Sequence, residues 1–174
     1  MFDLRHGSVL AGNRATRHSD EGAHDVVNTD VTALELIFAG RIGADDVLVD
    51  VGSGKGRVLR WWAARSPARR IVGLELDEEI AAETARRMRR EQRVSVVAGD
   101  AVANLPDDGT LFYLHNPFGE PVVRAFRDAV SGRPGIRILY YNPVHADVFA
   151  SGWSVERVVL GEGFHDLCVI EPSA

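Results

Sequence analysis

VLVDVGSGKGRVLRWWA, residues 47 to 63, begins as a valine-rich apolar run, crosses three closely spaced glycines and ends in an amphipathic stretch. That order predicts a buried strand, a tight turn and a helix. In an open α/β sheet this is where a ligand meets the carboxyl ends of the strands. A Walker-type phosphate loop does not fit, because Gly56 follows Lys55 where Ser or Thr is required and Val49 stands where the first glycine belongs. A dinucleotide fingerprint fits poorly: Gly52 and Gly54 are in place, but Arg57 fills the position of the third glycine. Lys55 is the chain's single lysine and reads as a solvated loop residue.

Outward from this stretch, short apolar runs alternate with helical patterns. Strands are expected at 47–51, 71–76, 94–99, 110–116 and 135–142, each β-branched or aromatic and bounded by Gly, Asp or Pro. Helices are expected at 56–66, 77–91 and 119–131, after a first helix that Thr29 or Asp30 caps and Gly40 ends. Repeated strand–helix units of this kind predict an α/β protein, a three-layer α/β/α sandwich around a Rossmann-like, mostly parallel sheet. The runs at 153–160 and 164–171, separated by Gly-Glu-Gly, predict a C-terminal antiparallel hairpin on the sheet edge. Residues 1–29 show no periodicity and read as a polar N-terminal arm, with residues 30–174 as the one domain.

Composition narrows the function classes. A chain of 174 residues with 45% hydrophobic content buries one core. Its formal charge of −5 disfavours nucleic acid as a partner, so a small-molecule or protein substrate is expected. A single cysteine, Cys168, rules out an internal disulfide and points to a reducing, cytoplasmic location. No apolar run reaches the ~20 residues that span a bilayer, so no membrane association is expected. No metal is required, and the oligomeric state is left open.

Three acids keep company with the glycines. Asp50 precedes the loop, Glu75 ends the second strand and Asp100 follows the third, so all three project from neighbouring strand ends around one crevice. An acid ending the second strand can accept hydrogen bonds from both ribose hydroxyls, and one after the third can accept from an exocyclic amine. Carboxylates suit a ligand carrying a sulfonium and an ammonium, and would repel a pyrophosphate. VDVGSGKG, GLELD, VAGDA and LHNPFGE, in that order and spacing, resemble the class I S-adenosylmethionine-dependent methyltransferases, in particular small bacterial members with a GSG loop and the non-SET histone-lysine methyltransferases. The resemblance spans residues 30–171. It implies S-adenosylmethionine as cofactor, with Asp50, Gly52, Ser53 and Gly54 around its methionine part. It further implies that Glu75 holds the ribose and that Asp100 reads the adenine together with the Ala101 backbone.

His115, Asn116, Pro117 and Phe118 lie where the fourth strand ends, beside the reactive methyl group in this fold. Proline stops the ladder and leaves the Asn116 carboxamide able to accept a hydrogen bond from an amine. The adenine and glutamine N-methyltransferases use a related Asn/Asp-Pro-Pro-aromatic loop; the second proline is missing here, which counts against a nucleobase and leaves an amine. The expected reaction is methyl transfer to a nitrogen or oxygen of a small molecule or a protein lysine. A second Asn-Pro pair, Asn142 and Pro143, ends the fifth strand behind Tyr140 and Tyr141. His115 has the best position for proton transfer, while His24 and Asp25 would serve only if the arm folds over the substrate. The arginines at 86, 87, 89, 90 and 93 read as a solvated, ion-paired face. Two other classes stay open: a nicotinamide-dependent oxidoreductase, and a binding module that keeps the cleft without turnover.

Overall fold

Apolar side chains on both faces of the central strands force a layer of cover on each side of the sheet. In β4 (Leu111–His115), Leu111 and Tyr113 point into one apolar cluster, and Phe112 and Leu114 into the other. The computed structural model describes residues 29–173. Its seven strands run in the order β3-β2-β1-β4-β5-β7-β6. They are β1 (Val47–Val51), β2 (Arg70–Glu75), β3 (Val94–Ala98), β4, β5 (Arg137–Tyr141), β6 (Trp153–Val158) and β7 (Leu167–Pro172). The first five pair in parallel, and β7 returns antiparallel against β5 with β6 outside it. The predicted Rossmann-like sheet and closing hairpin are therefore both present.

α1 (Val31–Phe38) and α2 (Arg57–Arg65) cover one face together with Met88 at the end of α3 (Glu78–Met88). Phe38 anchors α1 there by ring contacts with Trp61, Trp62 and Tyr113, at centroid distances of 5.4, 5.2 and 5.2 Å. The other face is covered by Val123, Phe126 and Val130 of α4 (Glu120–Val130), by the short 3-10 turn Ala146–Phe149, and by Ala101 and Leu105. Residues 99–110 cross from β3 to β4 without a helix.

The caps follow the sequence. Asp30 starts α1 by accepting from the Thr32 N–H at 2.8 Å, and Gly40, with φ 68°, follows its end. Asp77 starts α3 by accepting from the N–H groups of Glu79 and Ile80. The expected N-terminal arm lies outside the described residues apart from Thr29, and so do His24 and Asp25. No described helix is long and apolar enough to cross a membrane.

Candidate functional site

Parallel strands β3, β2, β1, β4 and β5 end on one edge, and the chain places its polar exceptions there. Asp50, next to last in β1, is only 3% exposed, and its Oδ2 has no hydrogen-bond partner. Burial, and then the nearby Glu75 carboxylate, push its pKa up from 3.8 to about 8. Glu75 ends β2 and is 7% exposed. One of its oxygens accepts from the Gly54 N–H at 2.7 Å and the other from the Asp77 N–H at 3.0 Å. Burial raises its pKa, and those two N–H groups pull against the shift. Two of the roughly four acceptor sites on a carboxylate thus remain for a ligand's hydroxyls.

The glycine loop is pinned from several sides. The N–H groups of Gly52 and Ser53 both bond the Leu74 carbonyl, at 2.9 and 2.8 Å, and that of Gly56 bonds the Ser53 carbonyl. Thr84 of α3 donates its hydroxyl to the Gly54 carbonyl at 2.9 Å. With four of its N–H groups already engaged, counting that of Gly54, the loop is not an open anion nest of the kind that holds a diphosphate. Arg57, in the third-glycine position, reaches the Thr29 carbonyl at 3.2 Å. Both facts weigh against the dinucleotide reading.

Side-chain volume explains the glycines. A Cβ on Gly52 would lie 2.9 Å from the Pro117 Cβ, so the glycine loop and the Asn-Pro turn are in contact. A Cβ on Gly73, in the middle of β2, would lie 2.6 Å from Leu59 Cδ1 and 2.8 Å from Ser53 Oγ. The Ser53 hydroxyl is consequently turned inward onto the sheet, buried and without a partner. Asp100 is exposed; its Oδ1 accepts from the Ala103 N–H at 2.7 Å and so caps the turn that holds Ala101.

At the end of β4 the predicted residues divide. Asn116 adopts φ 42°, and its Oδ1 accepts from the Tyr140 hydroxyl at 3.3 Å. Burial lifts the Tyr140 hydroxyl to about 12, so it stays a donor. Phe118 packs into the core with Val123 and Phe126 and is 7% exposed. The ring of His115 lies 4.9 Å from Tyr141 and 6.4 Å from His165. Burial, and then His165, push its pKa down to about 4, so the imidazole is neutral near pH 7.

Residues that sequence reasoning passed over tie these groups together. Thr29 Oγ1 lies 2.7 Å from the Tyr113 hydroxyl and 2.9 Å from His115 Nδ1, a chain reaching from beside Asp50 to the Asn-Pro turn. Thr84 and Gly73 shape the loop as described. Nothing local marks these three: each acts on a group distant in sequence, and only the strand order brings them together.

Residues 48–118 match the family model of a methyltransferase domain. A comparison with curated proteins finds no match. Among solved structures, the chain is similar to an RNA methyltransferase from Salinibacter ruber in complex with S-adenosyl-L-homocysteine, at 23% identity and a TM-score of 0.66, over 84% of this chain and 93% of that one. It is similar to the tRNA methyltransferase TrmK of B. subtilis at 16% identity and a TM-score of 0.66, covering 80% of this chain and 65% of that one. Mitomycin 7-O-methyltransferase MmcR follows at 18% and 0.64, over 81% of this chain and 53% of that one. These neighbours correct one expectation: two of the three act on RNA, so the overall charge of −5 is no ground for excluding a nucleic acid acceptor. Net charge sums over the whole surface, whereas an acceptor meets only a local part of it.

Proposed function

We propose that this chain, whose residues 48–118 match the model of a methyltransferase domain, is a class I S-adenosylmethionine-dependent methyltransferase that transfers a methyl group to a nitrogen acceptor held at the Asn116–Pro117 turn. The observation that carries the reading is the buried Asp50 carboxyl with its unpartnered Oδ2, set beside Glu75 under a loop whose N–H groups are already spent. Such a site favours a cationic, hydroxyl-bearing ligand over a diphosphate.

Asp50 would face the charged methionine part, alongside the backbone of Gly52, Ser53 and Gly54. Glu75 would take the ribose hydroxyls with its two remaining acceptor sites, and Asp100 with the Ala101 backbone would meet the adenine. When bound, S-adenosylmethionine would supply an electrophilic methyl to the lone pair of the acceptor. The chain's own contribution is position and exclusion of water. Asn116 can accept from an N–H of the acceptor, as the related Asn/Asp-Pro-Pro-aromatic loop of the N-methyltransferases does. His115, neutral and hydrogen-bonded to Thr29, lines the acceptor side. Pro117 keeps the loop against Gly52, and Phe118 roots it in the core. One buried cysteine, Cys168, agrees with a reducing cytoplasm.

Among acceptors, an RNA nitrogen has specific support. The structural neighbours include RNA methyltransferases, and Arg86, Arg89 and Arg90 stand exposed at the end of α3 as local positive charge on an acidic protein. Small-molecule amines and protein lysines are the other candidates.

Calorimetric titration with S-adenosylhomocysteine, beside NADH, tests the donor site. Binding of the first and not the second is expected, and Glu75→Ala should weaken it by about tenfold or more, as loss of hydrogen bonds to a charged group does. Tritiated methyl offered with unfractionated RNA, protein and small-molecule fractions tests the acceptor. Label in none of them would refute turnover.

A further inference from the structure

Beyond Asn116, the structure offers a second carboxamide. β4 and β5 run in parallel with His115 opposite Tyr141, so Asn116 and Asn142 are the first residues past the ends of two neighbouring strands. Strands so paired lie ~4.8 Å apart. Both asparagines precede a proline, and both have positive φ, 42° and 53°, as no other non-glycine residue does among those described. Proline disfavours folded backbone in the residue before it, so the two are held in sparsely populated conformations.

Turn-making alone does not account for the choice of residue. Glycine occupies the ten other positive-φ positions described, so glycine is this chain's ordinary solution to a left-handed turn. Asparagine at two adjacent strand ends adds something glycine lacks, a carboxamide. The turn at Asn142 is, moreover, complete without that side chain. Its N–H bonds the Asp166 carbonyl at 3.0 Å, and its own carbonyl accepts from the Val144 N–H at 2.9 Å. Its carboxamide has no hydrogen-bond partner among the described residues, although the residue is partly buried.

We infer that Asn142 is a second acceptor-positioning residue, whose carboxamide acts with that of Asn116 to hold the N–H of the nitrogen that receives the methyl group. Two side-by-side carboxamides offer two oxygens and two NH2 groups. They therefore recognise a neutral nitrogen by its hydrogen and steer its lone pair away from themselves, toward the donor. The strained backbone fixes both side chains on the same edge, and the Tyr140 hydroxyl on Asn116 Oδ1 limits that carboxamide's rotation. This inference rests on the methyl-transfer reading above.

The test needs no knowledge of the natural acceptor. Sinefungin carries an amine where the donor carries its methyl sulfonium, and so presents N–H groups to the acceptor side; S-adenosylhomocysteine presents none. Both are titrated calorimetrically into wild type, Asn142→Gly and Asn142→Asp. Wild type should bind sinefungin about tenfold tighter than S-adenosylhomocysteine, as a charge-assisted hydrogen bond provides. Asn142→Gly, which suits the turn better than asparagine, should lose most of that preference while its affinity for S-adenosylhomocysteine stays within about twofold of wild type. Asn142→Asp, which tolerates the same φ, should enlarge the preference several-fold by setting a carboxylate against the ammonium. No preference in wild type, or an unchanged preference in either variant, overturns the inference and leaves Asn142 a turn residue. Failure of wild type to bind either compound would instead remove the methyl-transfer reading on which it stands.

Discussion

Replacing Asp50 by asparagine should make the protein more stable, by an amount that grows with pH. The folded-state pKa of Asp50 is about 8, against an ordinary 3.8. Between those values the folded protein keeps a proton that the unfolded chain has released, so stability falls as pH rises, by about 1.4 kcal/mol per pH unit. The accumulated cost is about 1.5 kcal/mol at pH 5 and about 4 kcal/mol at pH 7. His115 works in the opposite sense. Its pKa drops from 6.5 to about 4, so in that window it stays neutral while the unfolded chain takes up a proton, and stability rises with pH. The slopes of Asp50 and His115 nearly cancel from about pH 4 to 6.5 and leave a decline toward pH 8; Glu75, also raised, adds a fall of its own above its ordinary 4.5. An asparagine carboxamide has the shape of the protonated carboxyl and carries no such cost. Urea unfolding followed by tryptophan fluorescence at pH 5, 6, 7 and 8 measures both proteins. Asp50→Asn should gain about 1.5 kcal/mol at pH 5 and several kcal/mol at pH 8, with a rising limb below pH 6.5 that wild type lacks. A difference that is constant with pH, or a wild type that gains stability toward pH 8, would show that Asp50 is not the proton-holding buried carboxyl described.

The same substitution should cost function: Asp50→Asn is expected to weaken S-adenosylmethionine by about tenfold or more and uncharged S-adenosylhomocysteine by less, measured by calorimetry, because only the first carries the sulfonium charge. His115→Gln should remove the term that offsets Asp50, so that its stability falls by about 3 kcal/mol more than that of wild type from pH 4 to pH 6.5, a difference that urea unfolding detects. Gly73→Ala should destabilise by about 1–3 kcal/mol in thermal unfolding, since the added methyl meets Leu59 and Ser53 inside a packed layer.

The sheet was readable because its central strands are buried on both faces and therefore spelled as unbroken apolar runs between glycine, aspartate and proline. Strand ends were less so. The last strand starts at Leu167, three residues after Phe164, because the loop built on Gly161 and Gly163, both at positive φ, extends further than Gly-Glu-Gly alone suggests. The helix expected over 77–91 stops at Met88, where a turn leads through Glu91 into β3. At the site, Asp50 and Glu75 were legible as acids at strand ends, since carboxylates interrupt runs that otherwise exclude charge. The inward turn of the Ser53 hydroxyl was not. It depends on the missing side chain of Gly73, twenty residues away on another strand. Thr29 was equally hidden, because its partners Tyr113 and His115 lie 84 and 86 residues along the chain.

Contact between Gly52 and Pro117 bears on how such a protein changes its substrate. If the glycine loop holds the donor and the Asn-Pro turn the acceptor, as proposed, the two sites share one boundary with no room for an extra methyl. Transplanting a foreign Asn-Pro-aromatic segment onto this scaffold would press on the donor side before it altered acceptor choice. New specificity is more readily reached from the β5 end, where exposed Val144 borders Asn142 and the glycine loop imposes no such limit.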